Sequence, residues 1–93
     1  MLTQQDARHL VEDELAAMNV PEGLVIIEVR EVPVGWIFFY DSVRHQRSGS
    51  LSDALAGNAP LLVDRETGAV HATGTARPVE DYVAEYIGTR AQD

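Results

Sequence analysis

The side chains of this 93-residue chain that could carry proton or acyl chemistry are three histidines, four serines and fifteen carboxylates, with no cysteine among them. His9, His45 and His71 are far apart, and no two have the short spacing with which a helix or hairpin offers paired imidazoles to a metal. Ser42, Ser48, Ser50 and Ser52 cluster, yet a serine becomes a nucleophile only beside a base that a third group orients. Neither a nucleophile elbow nor a phosphate-binding loop accompanies them. The carboxylates Asp13 and Glu14 point to different sides of a helix, and Asp81 and Glu85 read as solvent-facing. Without cysteine, disulfides, thiolate metal sites and thiol nucleophiles are excluded. None of these groups makes a catalytic or metal-binding constellation, so no catalytic residue, cofactor or metal is assigned and an enzyme is not the expected reading.

Binding chemistry is better represented. Trp36, the one tryptophan, starts an alternation with Phe38 and Tyr40. Tryptophan at an interface combines a large apolar area with one donor; the competing reading is core packing against the terminal helix. Arg44 and Arg47 lie in a polar stretch, Ser42 to Ser50, read as a loop. Asn58 sits in a Gly-Asn-Ala-Pro loop, where its amide either ties loop backbone together or meets a ligand. These six residues, Trp36, Phe38, Tyr40, Arg44, Arg47 and Asn58, are the candidate partner contacts.

The elements that must position them follow from periodicity. Thr3 with Asp6 makes a capping-box pattern, and Ala7, Leu10, Val11, Leu15 and Met18 keep one helical stripe, so a helix is expected over Gln4 to Met18. Asn19 and Pro21 stop it. Leu24 to Val32 is β-branched and reads as a strand with Val25, Ile27 and Val29 on its buried face. Pro33-Val34-Gly35 turns the chain, and Trp36 to Asp41 is a second strand with apolar side chains on both faces. Ser50 to Asp53 repeats the capping logic ahead of a helical turn at Ala54 to Ala56. Pro60 to Asp64 and Ala69 to Thr73 are strands around a hairpin loop in which Gly68 is free to take positive φ. Pro78 and the acidic Glu80 and Asp81 open a last helix, with Val79, Tyr82, Val83, Tyr86 and Ile87 as its stripe and Gly88 as its stop. Short turns imply antiparallel hairpins. The expected fold is α+β: a four-stranded antiparallel sheet, the N-terminal and C-terminal helices packed on one face, and a short helical turn between strands 2 and 3.

Size and charge bound the rest. Ninety-three residues suit a single domain over residues 1–93. The amino terminus lacks a basic segment followed by an apolar run. The longest apolar runs fall far short of the ~20 residues that span a bilayer. With the absence of cysteine, the expectation is a cytoplasmic protein that does not bind a membrane. The net charge of −8 repels phosphate backbones, against nucleic-acid binding, and would steer a basic protein partner.

The chain resembles a small bacterial family, immunity protein 35, which overlaps with YrhB-like proteins. The resemblance rests on Gly35 to Tyr40 (GWIFFY), Leu55 to Asp64 (LAGNAPLLVD), Thr67-Gly68, Gly74-Thr75-Ala76, Pro78 to Tyr82 (PVEDY) and Tyr86, and with the opening helix it covers nearly the whole chain. It implies a protein that neutralises a cognate toxin of a polymorphic toxin system by binding it. A YrhB-like member would alternatively be a chaperone or stress-related protein with several clients. The family supplies no catalytic residues to carry over.

Overall fold

The computed structural model describes residues 1–49 and 59–91. Its elements run α1 (Gln4–Ala17), β1 (Leu24–Val32), β2 (Gly35–Ser42), α2 (Val43–Ser48), β3 (Leu61–Asp64), β4 (Val70–Ala72) and α3 (Val79–Ala91). The four strands form one antiparallel sheet in the order β1-β2-β3-β4. This is the expected α+β class, with helices at both ends and a short one between strands 2 and 3.

α1 begins with the capping box its sequence announces: Thr3 and Asp6 satisfy each other's backbone N–H groups, and Ala7, Val11 and Leu15 are buried. Met18, expected on the buried stripe, is 44% exposed just past the helix end. The chain then leaves helical geometry at Asn19, whose φ is 54°.

The placement of the two long helices corrects the expectation of one shared face. α1 lies on one side of the sheet, where Ala7, Val11 and Leu15 join Trp36, Phe38, Tyr40, Leu61 and Val63 in a core. α3 lies on the other, where Val83 joins Val34, Ile37 and Leu62, with Val79, Phe39 and Tyr86 packed around them. The cause is β2. Successive side chains of a strand point to opposite faces, and both sets in β2 are apolar, so each face needs its own cover.

β1 brings a second correction. Ile26 pairs with Tyr40 but Glu28 pairs with Phe39, so the register slips at Ile27 in a β-bulge. One extra residue reverses the alternation. Leu24, Ile26 and Val29 pack on the α1 side, whereas Val25 and Ile27, expected inside, are 38% and 52% exposed.

Two smaller differences are local. The stretch read as a polar loop contains α2: the Ser42 hydroxyl accepts from the His45 backbone N–H at its start, and Gly49 ends it in the left-handed region. The expected helical turn at Ala54 to Ala56, with its cap at Ser50 to Asp53, lies outside the described residues. Gly88 does not end α3, which continues to Ala91. Gly35 has a specific reason to be glycine, because a Cβ there would lie 1.8 Å from the Val63 carbonyl oxygen.

Candidate partner-binding surface

Side chains available to a partner must lie outside both covered faces. The structure buries three of the six candidates. Trp36, Phe38 and Tyr40 are 5%, 0% and 8% exposed, on the face that α1 covers. The core alternative for Trp36 is thus the observed one, with the N-terminal helix as the cover. The Arg65 guanidinium closes the site from outside, 5.0 Å from the Trp36 ring centroid, and donates to the carbonyls of Val32 and Gly35. Asn58 lies outside the described residues.

Arg44 and Arg47 are on the surface, and α2 is what places them. At the end of β2, the buried Asp41 accepts from the Ser42 N–H at 2.7 Å and from the Gln46 side-chain amide at 2.7 Å, and its second oxygen also meets the His45 ring. These bonds fix the first turn of a helix too short to stand alone. The hydrogen bond with His45, and those with Gln46 and the Ser42 N–H, hold the Asp41 carboxyl below the usual carboxylate range. With α2 so held, Arg44 and Arg47 reach one carboxylate oxygen of Glu22 at 4.0 and 3.8 Å. All three side chains are exposed enough for the pairs to contribute little stability. The Val43 N–H donates to the Gly23 carbonyl at 3.1 Å, so α2 and the turn before β1 form one charged ridge.

Grooves lie on both sides of the sheet. One, of about 490 Å³, runs between α1 and the start of β1 and is lined by Arg8, Glu12, Leu15, Leu24 and Ile26 among others. The other, of about 240 Å³, lies between α3 and β1–β2, with Val32, Ile37, Val79, Val83 and Ile87 in its wall. Among the described residues no cluster of three or more histidines and carboxylates could hold a metal, and no helix is long and apolar enough to cross a membrane.

Across residues 5–85 the chain matches the family model for immunity protein 35. It belongs to that family. It is also 33% identical over 86 residues, 92% of this chain and 89% of the other, to an Escherichia coli (strain K12) protein named "Uncharacterized protein YrhB". No solved structure matches it.

Residue-type reasoning missed Asp41, His45 and Glu22 as organisers of the ridge. The available signal was a Ser42 cap preceded by an acid, with Asp41 and His45 four residues apart. That pattern is a helix start rather than a loop.

Proposed function

We propose that the chain is the immunity partner of a bacterial toxin, which it binds in the cytoplasm and blocks sterically, without catalysis. The match to the immunity protein 35 family over residues 5–85 carries this reading. The structure supports it with a charged ridge, Glu22, Arg44 and Arg47, standing clear of a sheet whose two faces are occupied by the protein's own helices. An interface of ordinary size takes ~800 Å² from each partner, a large share of a surface of 5645 Å². The net charge of −8 would speed the encounter with a basic toxin.

The test is co-expression. The open reading frame beside this gene is expressed in a tester bacterium with and without this chain, and surviving colonies are counted. Toxicity relieved only by this chain supports the proposal. A harmless neighbour, or toxicity that the chain leaves unchanged, overturns it. Suppression of aggregation of unrelated proteins would then favour the chaperone-like alternative.

A further inference from the structure

We propose that the first half of β1, together with the groove beside α1, binds an extended segment of a partner protein by strand addition, and that the segment carries an acidic side chain for Arg8.

Among the described residues β1 is an edge strand, so one row of its backbone N–H and C=O groups has no neighbouring strand there. Such edges template pairing with another chain and are usually guarded by charges, bulges or covering elements. Here the guarding is uneven. The second half carries Glu28, Arg30 and Glu31, and Arg30 is held over the Phe39 ring and paired with Glu28 and Glu80. The bulge sits between the two halves. The first half, Leu24 to Ile27, has no charged residue, and it leaves Val25 and Ile27 exposed. It is also the half that lines the larger groove.

The opposite wall of that groove gives the ligand its chemistry. Among the described residues, Arg8 alone of the seven arginines has no carboxylate within ion-pair distance; the other six all do. Arg8 is nevertheless half-buried. A partly desolvated guanidinium without a counter-ion is complementary to an incoming carboxylate. Glu12 follows one turn later in the same wall, about 6 Å along the helix axis at 1.5 Å per residue. Alternate residues of an extended strand are spaced about 6.6 Å apart. A segment lying along α1 would thus set an acidic residue on Arg8 and, two residues away, a basic one on Glu12. Its next residue on that side would be apolar and lie against Ala16, one further turn along the same wall. Backbone pairing supplies affinity and the alternate side chains supply selectivity.

The inference gives the partner-binding reading a location and a ligand chemistry and rests on it, but its test needs no toxin. A phage-displayed library of random dodecapeptides is panned on the purified full chain, and an enriched peptide is synthesised and titrated. The expected result is a shared acid-x-base-x-apolar pattern, with affinity lowered at least tenfold by Arg8→Glu and again by Ile27→Lys. Both side chains lie at the surface or half-buried, and circular dichroism would check that the variants stay folded. Lack of enrichment, or equal binding to Arg8→Glu, would overturn the proposal. So would a dimer in sedimentation equilibrium that Ile27→Lys dissociates, because a second copy would then occupy the edge. In the rescue assay, toxin neutralised equally well by Arg8→Glu and Ile27→Lys would also overturn it while leaving the immunity reading intact. Peptide binding with the expected variant effects would uphold it even if rescue fails.

Discussion

The two faces of the sheet are held by different means. Under α1, eight buried residues among those described make one apolar core, with Leu2, Leu10, Leu24, Ile26, Val29 and Val70 packed around it. Under α3 the buried apolar residues, among those described, are Val34, Ile37, Leu62 and Val83, with Val32, Phe39, Val79 and Tyr86 packed around them, and a polar anchor supplements them. Asp64 is fully buried at the end of β3. One of its oxygens accepts from the Glu66 and Thr67 N–H groups of the hairpin loop, and the other meets the Tyr86 hydroxyl at 2.9 Å and Arg90 at 3.2 Å. Apolar burial has no direction, so the α1 face is held by buried area and close packing. The α3 face depends on a carboxylate whose bonds have specific geometry. The thinner apolar layer and the directional anchor belong together: where less area is buried, position must be specified by other bonds.

The largest effect expected from breaking this contrast is at Phe38, fully buried under α1. Phe38→Ala should cost about 3–5 kcal/mol, the transfer of the ring plus the cavity left behind. Domains are stable by only about 5–15 kcal/mol, so urea unfolding should show a midpoint far below that of the parent. A loss under 1 kcal/mol would mean that α1 collapses into the gap and that this face is not tightly packed.

Asp64→Asn should cost less, about 1–3 kcal/mol, because an amide cannot accept from all the partners of the carboxylate. Its signature is pH. Burial alone would raise the Asp64 carboxyl; the hydrogen bonds from the Glu66 N–H, Tyr86 hydroxyl and Thr67 N–H, with the Arg90 charge, outweigh it and hold the group below the usual carboxylate range. A group whose folded pKa is depressed contributes stability above its unfolded value, ~3.9 for aspartate, and loses it as pH falls through the folded value. Parent and Asp64→Asn should therefore differ most near neutrality and converge below about pH 4. Asp41 is shifted the same way by His45, and Asp41→Asn separates the two contributions. A difference between parent and Asp64→Asn that stays constant from pH 7 to pH 3 would remove the carboxylate anchor from the account of the α3 face.

The contrast between the faces was only partly legible in the sequence. α1 could be read because its cap and its three-and-four spacing are both local. The two apolar sides of β2 were equally plain, yet their consequence, one helix on each face, depends on which helix finds which side, and no periodicity encodes that. In β1 the run Val25-Ile26-Ile27 is apolar at three successive positions, so either register buries a β-branched residue, and the bulge leaves no trace in composition. α2 has no apolar stripe; it stands on the Asp41 bonds, which periodicity does not detect. For the candidate contacts, aromatic residues and alternation identified Trp36, Phe38 and Tyr40 as a set and left their side undecided. Arg8 was passed over because it falls outside the helix stripe. Its place in one groove with Leu24, Val25 and Ile26 appears only once β1 and α1 are brought together.

The smallest effect tests whether the anchor acts as a unit. Tyr86→Phe removes one donor from Asp64 while Arg90 remains at 3.2 Å, so the carboxylate keeps a partner. The ring also keeps its neighbour His71, 5.4 Å away between centroids. The cost should be that of one net hydrogen bond, about 0.5–1.5 kcal/mol. The informative quantity is the coupling between Tyr86→Phe and Asp64→Asn in a double-mutant cycle read by urea unfolding. If the hydroxyl stabilises α3 through Asp64, the tyrosine change should cost clearly less once the carboxylate is gone. Equal costs in both backgrounds would mean that the hydroxyl does not act through Asp64, and that α3 is positioned by Val83, Val79 and the Tyr86 ring. The two faces would then differ in the amount of apolar packing and not in its kind.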